Sequence, residues 1–121
     1  MDKMRGYRVW WDAAMGVAHT QWLPGARCGI EEAQAVDAEV QALGQGKVLI
    51  LVDLREVASF DRPAREFFMN QHAGYLAVAL LAGSASTRML ANFFLGLRRG
   101  VIPVKMFTAE VDALAWLQAQ R

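Results

Sequence analysis

Val48-Leu49-Ile50-Leu51-Val52-Asp53-Leu54, running on into Arg55-Glu56-Val57-Ala58-Ser59-Phe60-Asp61-Arg62-Pro63-Ala64-Arg65, decides the fold of this chain. Val48 to Val52 is uniformly apolar and lacks alternation, which predicts a strand covered on both faces, as in a parallel sheet. The charged turn after it, followed by a helix start, predicts the carboxyl edge of an open α/β sheet, where such sheets place their ligands. Asp61 is the expected N-cap, because a short carboxylate accepts free amide hydrogens there, and Pro63 is tolerated in the first helical turn.

Upstream, Tyr7-Arg8-Val9-Trp10-Trp11 is aromatic and β-branched, and Met15 to Leu23 resumes the pattern after Asp12-Ala13-Ala14, so the two predict an antiparallel hairpin stopped by Pro24-Gly25. Ile30, Ala33, Val36, Val40 and Leu43 then lie at helical spacing on one face, with Glu31, Glu32, Asp37 and Glu39 mostly off it, and Gly44 and Gly46 end that helix. Downstream, Ala64, Phe67 and Phe68 form the inward face of the second helix, which Gly74 breaks. Tyr75 to Ala82 reads as another buried strand closed by Gly83. Ser84 or Ser86 can cap a third helix whose Leu90, Phe93, Phe94 and Leu97 form an inward stripe, ended by Arg98-Arg99-Gly100. Val101 to Phe107 is the last strand, and Thr108 is the expected cap of a final helix, Ala109 to Gln120, with core face Val111, Leu114 and Leu117. The order is ββαβαβαβα: an α/β fold with an N-terminal β-hairpin beside a mostly parallel sheet and four helices, in one domain over residues 1–121.

The 121 residues suit one ordinary core. Lys plus Arg number 13 against 12 Asp plus Glu, a formal net charge of +1, which argues against a dedicated nucleic-acid binder. Cys28 is the only cysteine, so neither an internal disulfide nor a cysteine zinc cage can form, and a reducing cytoplasm is the expected location. Met1 to Gly6 leads into no apolar stretch of the secretory type, and Ala73 to Thr87 is too short and too polar for a transmembrane segment.

Val52-Asp53-Leu54 with Val57 and Phe60-Asp61, the tail Pro103-Val104-Lys105-Met106-Phe107-Thr108 to Ala113-Leu114-Ala115-Trp116-Leu117, and Ser84 through Arg88 with Ala91-Asn92-Phe93-Phe94-Leu95-Gly96 together resemble the STAS superfamily, in its SpoIIAA-like branch. The resemblance covers nearly the whole chain and implies the fold of bacterial anti-sigma-factor antagonists, hence a regulatory, protein-binding role without enzymatic activity. In those antagonists a serine after the motif aspartate is phosphorylated by a partner kinase. Here Asp61 is followed by Arg62 and Pro63, so that place holds no phosphoacceptor.

Positive charge gathers at helix starts. Arg62 and Arg65 fall in the first turn of the second helix, and Arg88 in the first turns of the third, after Ser84 and Ser86. Helix N-termini favour anions, so if the two preceding strands are parallel neighbours these residues could bind a small acidic or phosphate-bearing ligand, such as a nucleotide or lipid headgroup. Alternatively the serines are caps and the arginines pair with Asp53, Glu56, Asp61 or Glu66. The segment lacks the glycine and lysine of a Walker loop. His19 and His72 have no carboxylate or histidine at ligand spacing, so no metal or other cofactor is expected, and no catalytic set is complete. Asp53 is expected to accept loop amide hydrogens rather than act as a base. Cys28 lies beside Arg27, but nothing supplies it with a general base. The aromatic hairpin (Trp10, Trp11, Trp22) and helices bearing Met89, Phe93 and Trp116 exceed what one core needs, so a homodimer or a regulatory protein partner is the expected association.

Overall fold

The computed structural model describes residues 6–70, 74–85, 87–89 and 102–120. Its centre is the strand β4 (Val48–Asp53). Before it come β1 (Tyr7–Asp12), β2 (Val17–Trp22), β3 (Arg27–Cys28) and α1 (Ile30–Ala42). After it come β5 (Ser59–Phe60), α2 (Arg62–Asn70), β6 (Tyr75–Leu81), a helix α3 described over residues 85 and 87–89, β7 (Val104–Phe107) and α4 (Glu110–Gln118). The main sheet has the order β1-β2-β4-β6-β7. β1 is antiparallel to β2, and every other pairing is parallel. The mixed α/β fold, with its hairpin at one side of a mostly parallel sheet, therefore agrees with the expectation.

The uniform apolarity of β4 has the cause assigned to it. Val48 and Ile50 turn to the layer that holds Ala33, Val36 and Val40 of α1 and Ala64 of α2. Leu49 and Leu51 turn the other way, onto Ala113 and Leu117 of α4, with Val17, Ala77, Ala79 and Leu81 beside them. A strand between two helical layers has no face to spare for polar residues.

The hairpin turns at Asp12, whose backbone carbonyl accepts the Gly16 amide at 2.8 Å and whose Oδ1 accepts the Met15 amide at 3.1 Å. Gly16 holds φ 67°, a left-handed conformation that glycine adopts without strain, so the second strand begins at Val17 rather than Met15. At the end of α1, Gly44 (φ 71°) turns the chain out of the helix and donates to the Gln41 carbonyl at 3.1 Å. Two acids of α1 are held from below: Tyr7 Oη donates to Glu39 Oε2 at 3.0 Å and Tyr75 Oη to Asp37 Oδ1 at 2.9 Å.

Further details depart from the sequence reading, among them the last strand, which spans Val104–Phe107 rather than the expected Val101 to Phe107. β3 and β5 form a second, two-stranded parallel sheet that the sequence did not announce, because two residues show no periodicity. Ile30 is exposed, since the apolar stripe of α1 runs past its packing partners at the N-terminal end. The N-cap of α4 is Ala109, with no side-chain cap bond, and Thr108 lies outside it. Val111 is 73% exposed, and the core face of α4 is Ala113 and Leu117, with Leu114 partly buried. Six residues of helix rotate Val111 about 120° from Leu117, too far to share one narrow face. The expected stripe Leu90, Phe93, Phe94 and Leu97, together with Ser86, His72 and Arg98-Arg99-Gly100, lies outside the described residues.

Candidate functional site

β4 and β6 pair in parallel from Val48↔Tyr75 to Asp53↔Leu81, so the turns after them leave from one edge of the sheet. Leu54 extends the pairing by donating its amide to the Leu81 carbonyl at 2.9 Å. Asp53, 9% exposed, closes β4. Its Oδ1 accepts the Arg55 amide at 3.1 Å and Arg55 Nε at 3.0 Å, and its Oδ2 accepts Nη2 at 2.8 Å. The carboxylate is thus an acceptor for loop hydrogens, the expected use at a strand end. That hydrogen bond, with Asp53 and Glu110 adding charge, pushes the guanidinium further above its ordinary range, and Arg55 Nη2 reaches Glu110 Oε1 at 3.9 Å. The Arg55 stem crosses Gly83, where an added Cβ would stand 3.6 Å from its Cγ.

The rest of this turn is strapped to the loop before α1. Ala26 carbonyl accepts the Ala58 amide at 2.7 Å, Glu56 carbonyl the Gly25 amide at 3.1 Å, and Cys28 carbonyl the Asp61 amide at 3.0 Å. Asp61 caps α2 as expected, its Oδ1 accepting the Ala64 amide at 3.0 Å. Gly29 occupies the N-cap of α1, and Glu32 reaches back to accept its amide at 2.9 Å. An added Cβ on Gly29 would come 3.3 Å from Asp61 Oδ2, so the starts of α1 and α2 adjoin.

Within this edge, Arg62 is largely exposed and its Nε donates to Glu66 Oε2 at 2.9 Å. Arg65 is half-buried, and its Nη1 donates to the Phe60 carbonyl at 2.7 Å. Ser84 and Thr87 cap the start of α3 reciprocally. Ser84 Oγ accepts the Thr87 amide at 3.2 Å, and Thr87 Oγ1 accepts the Gly83 and Ser84 amides, each at 3.0 Å. Arg88 is exposed one residue further on, its amide donating to the Ser84 carbonyl at 2.9 Å. The edge therefore presents exposed Arg55, Arg62 and Arg88 among the carboxylates of Glu56, Asp61, Glu66 and Glu110, a mixed-charge arrangement suited to a polar surface.

Cys28 is buried to 1% exposure, and its thiol donates to the Gly29 carbonyl at 3.7 Å. Burial pushes the thiol pKa well above its ordinary value, and the Glu32 and Asp61 carboxylates push it further. A second arrangement was hidden in the hairpin. The register Trp10↔His19 brings Asp12 Oδ2 to 3.2 Å from His19 Nε2, and the Trp10 ring stacks on the imidazole at 4.8 Å. The signal lay in cross-strand register, which places residues seven apart side by side, rather than in linear ligand spacing. Among the described residues, no group of three His, Cys, Asp or Glu could hold a metal ion, and no helix is long and apolar enough to cross a membrane.

Comparison places the fold. An uncharacterised protein of the DUF3478 family from Shewanella loihica PV-4, with a SpoIIAA-like fold, superposes at TM-score 0.69 with 12% identity, over 93% of this chain and 94% of the other. An anti-sigma factor antagonist from Mycobacterium paratuberculosis superposes at TM-score 0.62 with 16% identity, over 95% and 97%. A protein of unknown function from Arthrobacter sp. FB24 shares 34% identity over 91% and 97%, at TM-score 0.37. None of the curated proteins matches the chain. The fold is SpoIIAA-like, as the resemblance implied. A family model matches residues 10–121, and the chain belongs to that family, the domain of unknown function DUF7793.

Proposed function

We propose that this chain is a cytoplasmic, non-enzymatic regulatory module, one STAS-like domain that acts by binding another protein through the carboxyl edge of its sheet and self-associates as a homodimer. The observation that carries this reading is the charged edge itself: Arg55 stands exposed on a turn held to the α1 loop by backbone hydrogen bonds, with Arg62 exposed at the start of α2 and Arg88 exposed in α3. The antagonist fold supports it, since that protein's name describes action on another protein and its likeness spans 95% of this chain. The position after Asp61 is Arg62, so control through phosphate on a serine there is unavailable, and that position carries a guanidinium instead. Exposed Trp10 on the edge strand β1 supports self-association through the hairpin.

A second reading assigns Arg62, Arg65, Ser84, Ser86 and Arg88 to a small phosphate-bearing ligand, with the parallel pairing of β4 and β6 in its favour. One experiment separates them. Tagged wild-type chain and the double variant Arg62→Glu/Arg88→Glu are used to capture binders from extract of the native cells, and retained proteins and small molecules are both identified by mass spectrometry. The first reading expects a protein retained by the wild type and lost from the variant. A phosphate-bearing small molecule copurifying with the wild type alone, and no protein, would replace it with the second.

A further inference from the structure

The layer between the sheet and the helices α1 and α2 contains a cavity of about 70 Å³. Its floor is the sheet, where Thr20, Val52 and Leu80 stand in one register row across β2, β4 and β6, and Val78 in the next row. Its wall at the carboxyl edge is Leu54 and Phe60, the residues that bracket the charged turn. Most of the lining is apolar; Thr20 brings a hydroxyl to it, and Trp22 and Tyr75 an indole and a phenol. Thr20 is 2% exposed, so its hydroxyl belongs to the interior lining and not to the solvent face. Valine would fill the same space without a hydroxyl, and a buried hydroxyl is destabilising unless it finds a partner. A dry apolar cavity of about 150 Å³ accepts benzene, so one of this size takes a group of four or five heavy atoms, or a small ring once a side chain shifts. Small-molecule sites combine such apolar lining with a small number of placed polar groups that fix orientation.

We propose that this cavity binds a small branched or cyclic molecule, hydrocarbon over most of its surface, with one hydroxyl or carbonyl oxygen held by the Thr20 hydroxyl. Thr20 can donate to a carbonyl and can donate to or accept from an alcohol, so the oxygen, not its protonation, is recognised. The ligand packs on Leu54 and Phe60, directly beneath the turn that carries Arg55, and so its occupancy stiffens the same edge that presents the charges.

Isobutanol and its isostere isopentane, in which a methyl replaces the hydroxyl, serve as probes, with binding read from methyl resonances of carbon-13-labelled protein. Saturable shifts confined to the methyls of Val36, Val52, Val78 and Leu80 are expected. Thr20→Val preserves shape and is expected to weaken isobutanol about three- to ten-fold, the range of one net hydrogen bond, while leaving isopentane unchanged. Val78→Leu, which narrows the cavity, is expected to weaken both. Shifts that grow linearly with probe concentration, an unchanged affinity in Val78→Leu, or an equal response of both probes to Thr20→Val would each overturn the proposal. The last of these is what a site that merely seats a water on Thr20 would give.

Discussion

Replacing Asp53 by alanine removes three acceptor contacts at the end of β4: the Arg55 amide at 3.1 Å, Arg55 Nε at 3.0 Å and Nη2 at 2.8 Å. The three are unequal. The amide bond shapes the turn and ends on a carboxylate that is mostly buried, which puts its contribution at about 1.5 kcal/mol. The side-chain pair is discounted because the Arg55 side chain is 39% exposed, leaving about 0.5 kcal/mol. Asp53→Ala should therefore cost about 2 kcal/mol, and Arg55→Ala only about 0.5 kcal/mol, since it leaves the backbone amide bond in place. Asp53→Asn keeps an oxygen for that amide and should fall between them, near 1 kcal/mol. Urea unfolding followed by tryptophan fluorescence measures all three, with Trp22 reporting from a site 1% exposed. If Arg55→Ala is as costly as Asp53→Ala, or Asp53→Asn is indistinguishable from Asp53→Ala, then the ion pair and not the turn-forming acceptor holds this edge, and the account of the turn fails.

Cys28 should behave as an inert thiol. Its folded pKa is raised by burial and by Glu32 and Asp61, so its contribution to stability is fully present below the unfolded thiol pKa of about 8.5 and is lost as pH rises above it. Between about pH 8.5 and 10 the wild type should lose about 1.4 kcal/mol per pH unit relative to Cys28→Ala, measured by denaturant unfolding at each pH. Alkylation by iodoacetamide at pH 8 should follow unfolding rather than precede it. On α4, Val111→Glu should change stability by less than about 0.5 kcal/mol, whereas Leu117→Ala should cost about 2 to 5 kcal/mol, and the thermal midpoints of the two variants give the comparison.

Elements with long-range physical causes wrote themselves into the sequence in different degrees. Val48 to Val52 and Tyr75 to Leu81 could be assigned because a strand between two layers excludes polar residues along its whole length. Asp61 at the start of α2, Ser84 at the start of α3 and Gly44 at the end of α1 were legible because caps and left-handed turns impose strict local chemistry. Val111 misled because hydrophobicity was read without its angle. The Asp12–His19 contact was illegible to linear spacing, and β3 with β5 to periodicity, since each exists only once distant strands are in register. At the carboxyl edge the residue types could be anticipated, but not that Arg65 turns inward to the Phe60 carbonyl while Arg62 stays outside.

The short ladder between Arg27–Cys28 and Ser59–Phe60 makes a single moving part of two loops that the chain separates by a helix and a strand. Amides of Ala58 and Asp61, whose acceptors lie on the other loop, should exchange with solvent in concert, because neither loop can lift without breaking bonds to its neighbour. A partner that grips one loop meets the other already in position and forfeits little conformational freedom on docking. Conversely, a partner that pulls the start of α2 outward must drag the start of α1 with it, so a force applied at Arg62 is transmitted to the far side of the edge through four residues of backbone pairing.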